Sequence, residues 1–188
     1  MALQVKAVRN RQQRRQFWDL RKTLYRNDPA VVFPLNAITR TLLDVDRHPF
    51  YQHADRELFL ATRNGEPVGR IVAIIDHLQQ SHCKNKVGFF GFFESIDDQS
   101  VVDALLGEAE VWLADRGCNA MRGPVDPSMK AEFGVLVDGN ETPPMIMMAH
   151  NLARYRTQLI DAGLEQIREF YAFQFLSKNE PVDQWQRL

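Results

Sequence analysis

Residues 88–117 read GFFGFFESIDDQSVVDALLGEAEVWLADRG, an apolar run followed by the most regular helical pattern in the chain. The run over 87–94 has the length and composition of a buried strand. After it, apolar side chains recur three and four positions apart, which predicts an amphipathic helix over 100–116. Ser100 and Asp103 have capping-box spacing, and Gly117 is the residue type that ends a helix in a left-handed conformation. The stretch therefore predicts a strand followed directly by a helix.

The segment before this unit predicts a hairpin preceded by helices. Asn64-Gly65 is a dipeptide favoured in tight hairpins, because both residues tolerate positive φ. The spacing of Phe17, Trp18 and Leu20 predicts one apolar helix face, and the polar residues over 78–86 predict a loop. The predicted strands here cover 3–8, 57–63 and 67–76, and the predicted helices cover 10–25 and 36–45.

After Gly117 the pattern becomes less regular, with a loop rich in glycine and proline over 126–144. The predicted strands in this part cover 119–125, 145–148 and 165–176, and a helix is predicted over 152–162. The whole order predicts an α/β (α+β) fold, a mixed and twisted sheet with helices on both faces. One domain over 1–176 and a polar tail or linker over 177–188 are expected.

Composition places the chain among globular domains. It has 188 residues, 45% hydrophobic and 25% charged, which fits one domain with its own core. No run approaches the roughly 20 apolar residues of a membrane span, and the first ten residues have no apolar core of a signal peptide. Two cysteines, Cys83 and Cys118, are too few for a disulfide framework, so a cytoplasmic location is expected.

Charge is unevenly distributed along the chain. Residues 1–26 contain eight basic side chains and one acidic one, whereas the rest is acidic. Such a segment can bind nucleic acid or phosphate, but it also carries the apolar helix face. Arg11, Arg14, Arg15 and Lys22 are expected on the solvated side of that helix. The segment lacks a stacking platform or groove-reading motif, which makes a nucleic-acid partner the weaker interpretation.

The order of elements resembles the GNAT superfamily of N-acetyltransferases. Residues 88–117, GPVDPSMKAEFGVLVDG at 123–139 and TPPMIMMAHNLARY at 142–155 are similar to the N-terminal half of a bacterial group with tandem GNAT-like acyltransferase domains. The resemblance runs from about residue 5 to residue 173. It implies a mostly antiparallel sheet in which the parallel strands 87–94 and 119–125 splay apart, and a second GNAT-like domain or a homodimer as partner.

The resemblance also implies a binding site for acetyl-CoA or another acyl-CoA in that splay. Pantetheine would pair with the first strand, and the pyrophosphate would lie at the following helix N-terminus, where free N–H groups favour an anion. However, residues 95–100 contain neither the glycines nor the basic residue of the family loop, and Asp97 and Asp98 would repel a diphosphate. The implied cofactor contacts are Phe92, Phe93, Glu94, Gln99, Ser100 and Asn151.

Two residues are candidates for catalysis. The family tyrosine, four residues before the helix-ending Gly163, corresponds to Leu159, which has no proton to donate. Tyr155 lies one turn earlier and could be a general acid or a packing residue. Glu94, at the end of the central strand, could deprotonate an amine directly or through water.

Other polar and sulfur-containing residues carry weaker signals. Asp76, His77, His82 and Cys83 fit no common zinc spacing, and a polar loop explains them equally well, so no metal is predicted. The methionines over 145–148 could line an acyl pocket or fill a core. Asn151 could cap the last helix, and His150 beside it could face the cleft or be structural.

Two functions remain open at this point. The first is an acyl-CoA-dependent N-acyltransferase that acylates a small-molecule amine. The second is a catalytically inactive GNAT-like domain that supports a partner domain or binds a small ligand; the missing glycine loop and Leu159 favour it. The sequence favours the acyltransferase description for the group as a whole.

Overall fold

The computed structural model describes residues 2–83, 85–128 and 130–173. A five-stranded sheet has the order β1-β2-β3-β4-β5, and β6 and β7 form a separate antiparallel pair. The strands are β1 (Leu3–Ala7), β2 (Ala54–Arg63), β3 (Glu66–Asp76), β4 (Val87–Ser95), β5 (Ala120–Arg122), β6 (Val125–Asp126) and β7 (Glu132–Phe133). The helices are α1 (Arg11–Leu24), α2 (Asn36–Thr41), α3 (His77–His82), α4 (Gln99–Ala114) and α5 (Arg154–Asp161), with a 3-10 turn at Pro49–Gln52.

The first four strands form an antiparallel sheet, and β4 and β5 are its one parallel pair among the described residues. The hairpin between β2 and β3 turns at Asn64 and Gly65, which have φ of 57° and 86°. Both positive values are what the dipeptide predicts. The strand and helix predicted from residues 88–117 are confirmed as β4 and α4.

Helices cover both faces of this sheet, as predicted. On one face, α4 and α5 pack against Phe59, Ile71 and Ile75. On the other face, Phe17 of α1 packs against Leu58, Val72 and other side chains that alternate along the strands with those of the first face. The amphipathic spacing in α1 is confirmed, because Phe17 and Leu20 are buried, whereas Arg11, Arg14, Arg15 and Lys22 are exposed.

β4 is irregular where it meets the segment after β5. Its pairing with β3 shifts between Arg70 and Val72, and Phe92 has φ of 50°. Its parallel pairing with β5 ends at Phe89 and Arg122, but the chain after β5 stays beside β4, where Phe92 N–H donates to Asp126, so the predicted splay of the two strands stays a prediction. Gly91 is required here, because a Cβ atom on it would lie 1.6 Å from the Val125 carbonyl oxygen.

Several local predictions are wrong. The predicted loop over 78–86 contains α3, because the Asp76 side chain accepts from Gln79 N–H and begins a helix. Residues 145–148 form no strand, and neither do 165–173, while 174–176 of that predicted strand lie outside the described residues. The methionines at 145 and 147 are exposed, so they do not fill a core. The predicted tail over 177–188 also lies outside the described residues.

Two predicted helix caps are also wrong. Asp98, not Ser100, is the N-cap of α4, and its side chain accepts from Ser100 N–H. Asn151 does not cap α5, which begins at Arg154 after Ala153. Across the described ranges, no helix is both long and apolar enough to span a bilayer.

Candidate active site

A small cavity lies at the end of β4, where α1, the segment after β5 and the start of α5 meet. Its volume is about 50 Å³, which is room for a few water molecules or the polar head of a small ligand. Glu94 and Tyr155, the two predicted catalytic residues, both line it. The structure therefore brings these two candidates together, 61 residues apart in sequence.

Glu94 is a buried carboxylate held by three side chains. Its side chain is 5% exposed, and its Oε1 lies 3.4 Å from Arg21 Nε and 3.7 Å from Arg70 Nη2. Its Oε2 accepts a 2.8 Å hydrogen bond from the Tyr155 hydroxyl. Burial alone would lower the pKa of Arg21, but Glu94 and neighbouring acidic groups outweigh it and raise that pKa. Glu94 therefore joins side chains of α1, β3 and α5 at one point.

Tyr155 is poorly suited to donate a proton at neutral pH. Burial first, and then the Glu94 charge, raise the pKa of its hydroxyl well above the usual value. The hydroxyl already donates to Glu94 and accepts from Ser95 N–H at 3.0 Å. Leu159, at the family tyrosine position, lies buried in the core on the α4 side of the sheet. Tyr155 therefore positions Glu94 and the end of β4.

Two further carboxyl groups line the same cavity. Burial raises the pKa of Asp126 to about 7, although the 2.5 Å hydrogen bond from Phe92 N–H lowers it. Burial also raises the pKa of Glu132, against the lowering effect of Arg21. With Glu94, they give the cavity three carboxyl groups, and Arg21 is the guanidinium beside them. The cavity thus combines three carboxyl groups with the Arg21 guanidinium, which pairs with one of them.

His150 also lines this cavity, as the sequence left open. Its Nε2 lies 2.8 Å from Asp28 Oδ2, and its side chain is 2% exposed. Its backbone oxygen accepts from Arg21 Nη2 at 3.1 Å. Its Nδ1 is buried and makes no hydrogen bond. The histidine therefore ties the loop after α1 to the segment that precedes α5.

Two of the three predicted cofactor contacts on β4, Phe92 and Phe93, pack on aromatic side chains of the chain itself. Phe92 packs edge to face on Trp18, with ring centroids 6.3 Å apart, and its N–H is bonded to Asp126. Phe93 packs on Tyr155 at 5.2 Å and lines the cavity. Val125 and Asp126 thus lie directly against β4, where the splay of the strands was expected.

The other predicted contacts are bonded in the same way. Gln99 Nε2 donates to Asp103 and to the Gln158 carbonyl of α5. The Ser100 N–H and hydroxyl both donate to Asp98. Asn151 Oδ1 accepts from Leu136 N–H at 2.6 Å, and its amide donates back to the same residue.

Arginines partly neutralise the two aspartates that precede α4. Asp98 lies 2.7 Å from Arg63 Nη2, and hydrogen bonds from Ser100 and Arg63 lower its pKa. Asp97 accepts from Gln158 Nε2 at 3.3 Å and lies 4.0 Å from Arg154 Nε. The repulsion expected from the sequence is therefore reduced, but α5 is bonded directly to the α4 N-terminus.

The backbone donors at the expected acyl-CoA site are bonded to the chain's own side chains. The N–H groups of Phe92, Ser95 and Ser100, which lie where the family binds pantetheine and pyrophosphate, donate to Asp126, Tyr155 and Asp98. Arg154 Nη2 also donates to the Ser95 carbonyl at 2.7 Å. Acyl-CoA could pair with these backbone groups if those bonds were exchanged.

The polar cluster near α3 is divided between separate pairs. Asp76 Oδ1 lies 3.0 Å from His53 Nδ1, and His77 Nε2 lies 2.9 Å from Asp55 Oδ2. His82 Nδ1 instead lies 2.8 Å from the Leu78 carbonyl oxygen. No group of three or more His, Cys, Asp or Glu side chains placed to hold a metal occurs in 2–83, 85–128 and 130–173.

The architecture is that of the GNAT acetyltransferases. The aminoglycoside acetyltransferase AAC(6′)-Iy, in complex with a bisubstrate analogue, aligns over 94% of this chain and 99% of its own, with a TM-score of 0.56 and 16% identity. An aminoglycoside acetyltransferase from an uncultured soil metagenomic sample aligns over 92% and 97%, with a TM-score of 0.53 and 10% identity. The GNAT fold predicted from the sequence is therefore confirmed.

Two curated relatives are more similar in sequence. The bacterial ceramide synthase of Caulobacter vibrioides is 34% identical over 172 residues, which are 91% of this chain and 45% of that protein. Protein YghO of Escherichia coli is 32% identical over 159 residues, 85% of this chain and 40% of that protein. The chain thus spans less than half the length of either relative. No family model matches it.

Sequence reasoning missed four charged residues of the site. Arg21 was one of eight basic residues in the first 26, and periodicity did not distinguish it from its exposed neighbours. Arg70 carried a usable signal, because an arginine inside the apolar run of β3 requires a buried partner. Asp126 and Glu132 lie in the irregular loop, where no periodic sequence pattern indicates which side chains point inward. Only the fold shows that they face Glu94.

Proposed function

We propose that this chain is an acyl-CoA-dependent N-acyltransferase domain that transfers an acetyl or longer acyl group to an amine. The buried carboxyl groups of Glu94, Asp126 and Glu132 in one cavity of a GNAT fold carry the proposal, because they suit an ammonium group. The Caulobacter relative named a ceramide synthase supports N-acylation of an amine. Because both curated relatives are more than twice as long, we also propose that a second GNAT-like domain or a second copy associates with this domain, which itself carries out the acyl transfer.

Within this proposal Glu94 and Asp126 have separate tasks. Glu94 is fixed by Arg21, Arg70 and Tyr155, so it offers carboxylate oxygens at a fixed position as hydrogen-bond acceptors for the ammonium group. Asp126, with a pKa of about 7, can take or give a proton near neutral pH. The acyl donor is acetyl-CoA or a longer acyl-CoA, which supplies the activated acyl group.

Product analysis tests this function. The 188-residue chain is incubated with acetyl-CoA or a long acyl-CoA and with short or long primary alkylamines, and amide is measured by mass spectrometry. Amide formation that falls at least tenfold in Glu94→Gln, but not in the exposed control Asp138→Asn, is the expected result. Absence of amide with every combination of acyl-CoA and amine would contradict the proposal. If amide forms, the combination that reacts identifies the acyl length and the class of amine.

A second candidate, a catalytically inactive domain that binds a small ligand or supports a partner, is favoured by one observation. The three backbone donors at Phe92, Ser95 and Ser100 are all engaged by the chain's own side chains. This alternative predicts that amines bind to the cavity without any acyl-CoA binding. Titrations with each ligand separate the two functions.

A further inference from the structure

We infer that His150 is the proton acceptor of this site, taking a proton at Nδ1 from the ammonium group of the bound amine while Asp28 holds its ring through Nε2. The inference rests on the proposed function, because it assigns the deprotonation that an amine requires before it can be acylated.

The geometry of the ring carries the inference. Nε2 is 2.8 Å from Asp28 Oδ2, so an Nε2–H donor there leaves the Nδ1 lone pair free. Nδ1 is buried and has no partner, although His150 lines the cavity. A buried nitrogen without a partner is costly in a purely structural histidine, since its desolvation is not offset. A ligand N–H group would satisfy it.

The surroundings of His150 favour a cationic ligand. Arg21 donates to the His150 carbonyl and is paired with Glu94, so its charge is already matched. Tyr25 lies beside the ring at 6.0 Å, and burial raises the pKa of its hydroxyl. The titratable and charged groups near the ring or lining its cavity are Asp28, Arg21, Tyr25, Tyr155, Glu94, Asp126 and Glu132.

The proposed step is a proton transfer. One ammonium N–H bond breaks and an Nδ1–H bond forms, and the electron pair stays on the amine nitrogen as the lone pair that acylation needs. The imidazolium is stabilised by Asp28 and passes its proton to water when the product leaves. Asp28 acts as a positioning residue, because it touches the ring and not the amine.

The other His–Asp pairs provide an internal control. His77 lies 2.9 Å from Asp55 with about the same geometry, but its side chain is 55% exposed and does not line the cavity. If His150 accepts a proton from the amine, its imidazole should respond to the bound amine, whereas the imidazole of His77 should not. His77→Gln therefore removes a comparable pair without touching the site.

NMR of the imidazole nitrogens in the ¹⁵N-labelled 188-residue chain tests the inference without needing activity. At pH 8 we expect His150 to carry its proton on Nε2, and we expect hexylamine to shift its Nδ1 resonance. Hexyltrimethylammonium has a similar charge but no N–H to donate, so it should leave Nδ1 unshifted. A proton on Nδ1, or no Nδ1 shift at saturating hexylamine, would overturn the inference.

Kinetics separate this inference from the proposed function. His150→Gln should lower kcat by about 10²–10⁴-fold and remove the acidic limb of the pH–rate profile, with KM changed far less. Asp28→Asn should lower kcat and shift that limb, whereas His77→Gln should leave both unchanged. Acyl transfer that survives in His150→Gln with an unchanged pH profile overturns the inference alone. A wild-type chain that shifts Nδ1 with hexylamine but forms no amide contradicts only the proposed function.

Discussion

The face of the sheet under α4 and the end of β4 beside α1 differ in what fills them. Under α4, apolar side chains such as Leu105 and Ile71 are fully buried and carry no charge. At the end of β4, Arg70 and Glu94 are almost as deeply buried, yet both are ionisable. Apolar burial stabilises the first region, whereas the second depends on matching each buried charge with a partner.

This difference separates the part of the molecule that makes the fold from the part that makes the site. An apolar core tolerates similar side chains of equal volume. A buried charge network does not, because loss of one partner leaves another charge without compensation. Substitutions in the two regions should therefore differ in their dependence on pH and salt.

The largest effect on stability is expected for Arg70→Met. Arg70 lies 3.7 Å from Glu94 and donates to the Phe17 carbonyl, so its loss leaves a buried carboxylate and an unpaired carbonyl. The free energy of unfolding in urea should fall by about 3–5 kcal/mol. Adding Glu94→Gln should recover part of that loss. A fall below about 1 kcal/mol would show that the network behaves like a surface pair.

Leu105→Ala should have a slightly smaller effect and test the apolar region. Leu105 is fully buried under the sheet, so truncation removes transfer energy and leaves a cavity. The free energy of unfolding should fall by about 3 kcal/mol, with little dependence on pH or salt. Val111→Ala on the exposed side of α4 is the matched control and should change it by less than about 0.5 kcal/mol. A strong salt dependence of the Leu105→Ala effect would contradict the comparison.

Asp126→Asn should change how stability depends on pH. The folded pKa of about 7 lies above the unfolded value, so the folded state holds a proton that the unfolded state loses. Stability therefore falls as pH rises from about 4 to 7, and this slope should disappear in the variant. Asparagine keeps an oxygen for Phe92 N–H, so the variant should be more stable at pH 8, by on the order of 3 kcal/mol. If the stability of Asp126→Asn fell with rising pH as steeply as that of the exposed control Asp138→Asn, the raised pKa of Asp126 would be contradicted.

The smallest effect is expected for Arg63→Met. Arg63 pairs with Asp98 at 2.7 Å, but both side chains are about one-third exposed. Loss of the pair should lower the free energy of unfolding by less than about 1 kcal/mol, and high salt should remove most of the difference. Thermal unfolding at low and high salt measures it. An effect as large as that of Arg70→Met would remove the distinction between buried and surface pairs.

The fold was predictable where side-chain periodicity is strong. Residues 88–117 predict β4 and α4, and Asn64-Gly65 predicts the hairpin, because local pattern and tertiary packing agree there. The failures lie where a side chain competes for backbone groups. Asp76 begins α3 in a segment expected to be a loop, and Asp98 replaces Ser100 as the cap of α4.

The site was predictable only in part. Glu94 and Tyr155 were found through the strand end and the family resemblance, and they line one cavity. The role of Asp126 could not be found, because it depends on the irregular segment after β5 lying against Gly91 and Phe92 of β4. Charge pairs between residues far apart in the chain produce no periodic pattern in a single sequence.

Calorimetric titration of the 188-residue chain with acetyl-CoA and a long acyl-CoA, at low and physiological salt, tests the central claim most directly. The account predicts saturable binding with micromolar affinity, tightened in the double variant Asp97→Asn, Asp98→Asn. Such binding would show that the backbone donors at Ser95 and Ser100 can exchange their present partners. No heat at millimolar ligand, with the chain shown to be folded, would contradict acyl transfer by this domain.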